Sequence, residues 1–553
     1  MDEVSGDGSA ELLDDGSIEI EFAYHNGDEA VLKAKLDTSS TARSGHLGYV
    51  LELRHAVLYE SSMQFRELKN LLAEAAKDRL FVGLVVVALV LAYAAEIGSP
   101  TFNTDAFHDI QLYGNKAQWY IYGRYAAEAL SAATWAVYPP SLVLMVGVGL
   151  LAVTVSILTG IWGITRPVDR AVAVIVVAVF PFFFETFSYW EIRHVVPLAI
   201  AIAAAGILVR PAVGFPLLVL AACFYQSGVY FAAVAVLIWA GVEALNNRPC
   251  VRLLVEKALM VGAALLLWRI GVAVVGWLYP SYAPHLEIFS RPTGSAAELC
   301  FSLKQHAAAM LSFFSEGVFL FPLRAKLVAV AGILLVAIGG WRLVRRGEVS
   351  PGRYAFALTM IVLMPAAAHG ANLILYPPYA SLVERVLFSY AAVFLGIFVL
   401  ALYANRGWLR GTVVGLFAFA ALTFVWQANI WHQYMALKNL ADIDVANKIA
   451  DRLKSDSAYR PWIPLVMVGT MKPTKYLAYR SFDLRQRKIG NTIFYSAYEY
   501  DWSKSRMLMA FMTFANANTA QQKHGEQIAA TMPVWPVSGS AIVKDGLIVV
   551  RLK

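Results

Sequence analysis

The sequence predicts an α-helical polytopic membrane protein: a bundle of about eleven transmembrane helices, a short N-terminal cytoplasmic β-hairpin module and a small C-terminal α/β domain. Three observations predict it. Of 553 residues, 58% are hydrophobic and only 15% charged, where a soluble protein carries about 25% charged residues. Long apolar stretches recur from residue 80 to residue 428. The basic residues gather in short loops between them, which excludes a soluble enzyme and gives no nucleic-acid-type patch despite a net charge of +7.

The N-terminal region comes first. Residues 1–60 form the expected cytoplasmic module, and because residues 1–40 are polar and acidic no cleavable leader is expected and the first apolar segment acts as signal and anchor. Within them, Ile18–Tyr24 and Val31–Leu36 alternate around His25-Asn-Gly-Asp28, which reads as a hairpin on an Asn-Gly turn. Residues 61–79 place Phe65, Leu68, Leu71, Leu72 and Ala75 at helical spacing, as an amphipathic helix at the membrane interface would.

The membrane domain, 80–428, divides into spans near 80–98, 139–161, 168–185, 194–209, 211–225, 227–244, 254–278, 325–343, 354–375, 386–403 and 408–428. Lys77 and Arg79, Arg166 and Arg170, Arg210, Arg248 and Arg252, Arg342 to Arg353, and Arg406 with Arg410 then all fall on one side, the cytoplasm by the positive-inside rule. The fifth span is short, yet omitting it would break this alternation. The N-terminus is expected inside and residues 429–553 outside. Loops 99–138, rich in aromatics, and 279–324 are too long and too rich in structure-forming residues to be simple connectors. The C-terminal part mixes a helix over Asp442–Lys454, a strand over Ile463–Gly469 and a closing hairpin over Ala541–Arg551, a small α/β domain.

Ionisable residues at the outer ends of spans need an explanation other than topology, and they cluster. Asp105, His108 and Asp109 share the first outer loop with Arg124. Glu185 closes the third span, followed by Tyr189, Glu191, Arg193 and His194. Gln226 lies between the fifth and sixth spans, and Glu384 and Arg385 open the tenth. Arg269, on the outer half of the seventh span, would cost about 2.5–3.5 kcal/mol facing lipid and should face a polar cavity. Carboxylates beside arginines at a membrane face suit attack by a hydroxyl on a sugar carried by a lipid phosphate. The carboxylate accepts the proton and the arginines hold the departing phosphate, which needs no general acid. Each residue also has an ordinary structural alternative. Asp105 or Asp109 could cap a helix, and Arg193 and Arg385 could pair with Glu191 and Glu384 at span ends. Cys223, Cys250 and Cys300 are far apart, and His108, His194 and His369 lack ligand spacing, so neither disulfides nor a metal site is expected.

The order of these residues resembles a family. Asp105 with Gly123-Arg-Tyr125, then P-F-F-x-E-x-x-S-Y over Pro181–Tyr189, Tyr225-Gln-Ser227, Arg385-Val-Leu387, and a late A-x-x-I-A helix at Ala446–Ala450 are similar to the bacteriophage-type O-antigen glucosyltransferases, the type II enzymes that modify lipopolysaccharide. The likeness covers residues 80–475 and omits the first 70. It implies a C-type glycosyltransferase bundle (GT-C) in the bacterial inner membrane. Such an enzyme passes a hexose, typically glucose, from a polyprenyl-phosphate donor to a lipid-linked or surface glycan on the outer, periplasmic face, with inversion. By position it implies Asp105 as the loop acid, with Glu185, Arg124, Gln226 and Arg385 as the other matched residues. The family pattern has two adjacent acids followed by an arginine; here Thr104 precedes Asp105, and His108 with Asp109 stands near the expected arginine. Asp105 and Asp109 are therefore both candidate bases, with Glu185 the third catalytic candidate. Arg124, Arg193, Arg385 and Arg269 are candidates for the donor phosphate, and Gln226, Glu191, His108 and Tyr189 for the rest of the substrates. The expected partners are the lipid-linked donor, a glycan acceptor and membrane lipid, with no nucleic acid and no cofactor; a homo-oligomer is open to such a chain. The competing readings are a transporter or lipid flippase, and a glycan polymerase or ligase on a similar bundle.

Overall fold

The computed structural model describes residues 6–12, 17–24, 29–35, 73, 75–102, 123–134, 139–189, 192–278, 291–315, 321–376, 382, 386–471, 496–499 and 501–552. They fall into two units, 1–66 and 67–553. The first unit carries an antiparallel sheet of β1 (Gly6–Leu12), β2 (Ser17–Tyr24) and β3 (Glu29–Lys35) in the order β1-β2-β3, with Ser17 opposite Lys35 and Ala23 opposite Glu29. A strand therefore precedes the alternating pair that the sequence indicates; its Asn-Gly turn and most of the 61–79 segment lie outside the described residues.

The second unit opens with α1 (Arg79–Gly98), followed by α2 (Tyr125–Thr134), α3 (Pro140–Ile161), α4 (Pro167–Ala178), α5 (Pro181–Ser188), α6 (Val195–Leu208), α7 (Pro211–Leu245) and α8 (Val251–Leu278). Proline stands at the first turn of α3, α4, α5 and α7, where its fixed φ favours the helix and its missing N–H costs nothing. Next come a two-residue bridge of β4 (Arg291–Pro292) with β5 (Leu375–Tyr376), α9 (Ala296–Ser312), α10 (Leu323–Arg345), α11 (Pro351–His369), α12 (Tyr390–Ala404) and α13 (Trp408–Lys454). Gly347 ends α10 in the left-handed conformation, as Asn247 ends α7; each lets the following amides return to carbonyls of the last turn.

Among the described residues seven helices are long and apolar enough to cross a membrane, or eight if α4 and α5, bent by 46° at Val179–Phe180, form one span. The expected eleven differ from this for stated reasons. Helices α6 and α12 are apolar but short, and α7 contains the expected fifth and sixth spans in one element. A straight helix of 35 residues would run about 52 Å. Tyr225, however, is extended (φ −162°, ψ 112°), and Lys257 in the second turn of α8 donates to the carbonyl of Val209 just before α7 at 3.2 Å. The chain has thus returned to the end from which α7 set out. Gly214 and Gly228, one in each half, both pack too closely on α6 to carry a Cβ. The turn at Phe224–Gly228 is a one-residue break rather than a loop.

The core is aromatic. Phe180, Phe182, Phe313, Phe321, Phe394 and Phe424 from five segments are fully buried with ring centroids 4.8–6.5 Å apart. Such edge and tilted contacts specify geometry where lipid and core are equally apolar. Helix α13 spans 47 residues without interruption, where the sequence suggests a span and a separate helix from Asp442, because nothing after Gly415 breaks its period. Its last turns carry a sheet of order β7-β6-β9-β8, with β6 (Pro464–Val468), β7 (Ala515–Asn516), β8 (Ala541–Lys544) and β9 (Leu547–Arg551). Strand β6 is parallel to β7 and β9, and the β8–β9 hairpin turns on Asp545-Gly546, both at positive φ. Helices α14 (Asp501–Met509) and α15 (Thr519–Thr531), the latter with an Asn518/Gln521 capping box, complete the domain.

Candidate functional site

Two polar clusters occupy the membrane domain at the end where α1 stops and α6 begins. The first centres on Glu96 in the last turn of α1. Its carboxylate receives the Thr101 amide at 3.0 Å, the Thr101 hydroxyl at 2.8 Å and the Arg193 guanidinium, while His432 Nδ1 lies 3.3 Å away. Arg193 also donates to the carbonyls of Phe187, Pro140 (3.2 Å) and Thr101 (3.2 Å). Both charged groups are fully buried. Arg193, expected as a phosphate ligand, is bonded here to Glu96 and to three carbonyls that join α1, α3 and α5. Phe102 exchanges hydrogen bonds of 2.9 and 2.7 Å with the Asn439 carboxamide, so this cluster also fixes the start of the first large loop against α13.

An aromatic wall links this cluster to the second. Ring centroids follow Tyr93 to Phe187 at 5.8 Å, Phe187 to Phe183 at 5.6 Å, Phe183 to Phe388 at 5.4 Å, and Phe388 to Tyr225 at 5.8 Å. Glu185 belongs to the same short helix as Phe183 and Phe187, and its side chain is buried, as is Tyr189 at the helix end.

The second cluster surrounds the break in α7. Arg124, just before α2, lies over the Tyr225 ring with its guanidinium carbon 4.2 Å from the centroid. Arg269 is half-buried and interacts electrostatically with Tyr125 and Tyr230. The Tyr230 hydroxyl donates to Asn372 Oδ1 at 3.4 Å. Beyond Asn372, His306 and His369 meet Nδ1 to Nδ1 at 2.7 Å, so one of the two carries the shared proton, and His369 Nε2 is 2.9 Å from the Tyr390 hydroxyl. Four buried polar atoms around this break have no hydrogen-bond partner among the described residues: Gln226 Oε1, Ser227 Oγ, Asn372 Nδ2 and His306 Nε2. A buried donor or acceptor left alone costs about 1–3 kcal/mol, so a group that is polar over its whole surface fits here.

Gly370 has φ +52°, and a Cβ there would enter the Tyr230 ring. Gly370→Ala is expected to cost about 2–4 kcal/mol from backbone strain and overpacking together. A melting temperature equal to wild type would show that the ring yields. Burial pushes the His306 imidazole down to about 4 from its ordinary 6.5, opposed by the Asn372 backbone, with His369 and Tyr390 the titratable groups facing it along the chain. The unfolded chain then takes up this proton first. The contribution of His306 is complete above about pH 6.5 and is lost as pH falls toward about 4. His306→Gln should flatten the acid limb of thermal stability in that window, and an unaltered limb would assign it to other groups.

The structure thus brings Arg124, Gln226 and Arg269 together, sets Glu185 and Tyr189 behind the aromatic wall, and places Arg193 in the other cluster. Asp105, His108, Asp109, Glu191 and Arg385 lie outside the described residues. Glu96, His432, His306 and Asn372 do not stand out in the sequence, and Ser227 enters there only as part of the Tyr225-Gln-Ser227 motif. For Glu96 the signal was present, a lone carboxylate in the last turn of an apolar span. For the His306–His369 contact there was none, since 63 residues separate the partners. Among the described residues no three His, Cys, Asp or Glu side chains could hold a metal ion together. Comparison with known proteins returns nothing: no protein-family model fits the chain, and no curated protein and no solved structure matches it.

Proposed function

We propose that this chain is an integral-membrane inverting glycosyltransferase that moves a hexose from a polyprenyl-phosphate donor to a hydroxyl of a lipid-linked or surface glycan on the outer face of the bacterial inner membrane. The observation that carries the reading is the set of buried, unpartnered polar atoms around the α7 break, flanked by Arg124 and Arg269. A sugar phosphate supplies what that set lacks: hydroxyls that donate and accept, and an anion for the arginines. In the reaction the acceptor oxygen forms a bond to the anomeric carbon as the bond from that carbon to the phosphate oxygen breaks. The acceptor proton passes to a carboxylate, Asp105 or Asp109, and polyprenyl phosphate leaves as an anion. Glu185 orients the sugar or acceptor, and Arg385 is a further candidate for the phosphate.

The broken helix α7 also favours a second reading, since transporters and flippases build substrate sites from discontinuous helices. One experiment separates them. Protein in proteoliposomes receives undecaprenyl-phosphate [14C]glucose and a lipid-linked oligosaccharide. The transferase reading expects label to appear on the oligosaccharide. Label that changes leaflet but stays on its carrier would replace that reading with the flippase.

A further inference from the structure

The extended residue at Tyr225 makes a new helix begin inside α7. The second half, Gln226–Leu245, takes up helical geometry afresh after this residue, and the N-terminal end of its dipole presents positive charge there. A helix start alone is not a site, and a second observation distinguishes this one. Ser227, in its first turn, is fully buried, yet its hydroxyl has no hydrogen-bond partner among the described residues. The neighbouring Gln226 Oε1 is likewise buried and unpartnered, an acceptor awaiting a donor. Arg124 lies over the ring of the break residue itself, and Arg269 is electrostatically coupled to Tyr230 one turn further along. Hydroxyl and backbone donors, two cations and one carboxamide acceptor match a phosphate joined to a hydroxyl-bearing group.

We propose that the start of the second half of α7 is the phosphate cradle, with the Ser227 hydroxyl donating to a phosphate oxygen and Gln226 Oε1 accepting from a hydroxyl of the attached sugar. This rests on the glycosyl-phosphate reading above for the identity of the ligand, but not for its phosphate chemistry. Ser227 is a binding residue here. Its loss removes one charge-assisted hydrogen bond and leaves the fold, since alanine is smaller and apolar in an apolar bundle.

The test compares binding of undecaprenyl phosphate and of undecaprenol, which lacks the phosphate, to the full-length protein in nanodiscs by native mass spectrometry. Inorganic phosphate serves as competitor, to separate a free phosphate from a lipid headgroup. Wild type should prefer the phosphate lipid, and Ser227→Ala should weaken it about ten- to a hundredfold, the scale of one hydrogen bond to a charged group, with undecaprenol unchanged. Displacement by millimolar inorganic phosphate would show that the cradle takes phosphate without its tail; resistance to it, with the lipid preference intact, would assign the headgroup. Equal binding of the two lipids by wild type, or equal phosphate-lipid binding by Ser227→Ala and wild type, would overturn the cradle. Retained phosphate selectivity in a protein that transfers no sugar would sink the transferase reading alone.

Discussion

Glu96→Ala and Arg193→Met are each expected to destabilise the protein by about 3–5 kcal/mol, the largest stability effects in the molecule. The two side chains are buried together, and Arg193 additionally holds carbonyls from three segments. Removing either partner leaves the other's charge buried without its main counter-ion. Replacing both, as in Glu96→Leu with Arg193→Met, removes the two charges at once and should recover much of the loss, because the pair's attraction is largely offset by its desolvation. His432, 3.3 Å from the same carboxylate, then loses that neighbour as well. Thermal unfolding in detergent measures this directly. Single variants that melt with wild type, or a double variant worse than the sum of the singles, would contradict a structural role for the pair.

Asp105→Asn is expected to lower sugar transfer by about 10²–10⁴-fold, the usual contribution of a general base, while donor binding stays close to wild type. Asparagine keeps the size and hydrogen-bonding shape but accepts no proton. Asp109→Asn provides the comparison. If its loss is the larger, Asp109 is the base and Asp105 a positioning or capping residue. Near-normal turnover by both variants would remove the first outer loop from the chemistry and move attention to Glu185.

Much of the architecture was legible because a bilayer leaves a chain few choices. Every apolar stretch inferred from composition has a helical counterpart among α1, α3–α8 and α10–α13, and proline marks the starts of several. What the sequence concealed depends on distance along the chain. The Tyr225-Gln-Ser227 stretch suggested a loop between spans, since nothing local says that one extended residue suffices to turn the chain. The basic residue Arg193 was visible, but its partner Glu96 lies 97 positions away. Arg193 therefore resembled a ligand-binding residue although it cements three helices. Arg269 stands out in the sequence for the opposite reason: a cation within an apolar span has few tolerable neighbours, and Tyr125 and Tyr230 are electrostatically coupled to it. Asn372 and His306 carry no pattern of their own, and their part in the site emerges only where α9 and the turn after α11 meet the second half of α7.

Where the donor phosphate binds decides the matter, and a cryo-electron microscopy structure of the full-length protein in nanodiscs with undecaprenyl-phosphate glucose measures it most directly. The phosphate should lie at the α7 break, within hydrogen-bonding distance of Ser227 and near Arg124 and Arg269, with the anomeric carbon open to a carboxylate of the first outer loop. A phosphate bound beside Arg193, or a headgroup at the opposite end of the bundle, would contradict it.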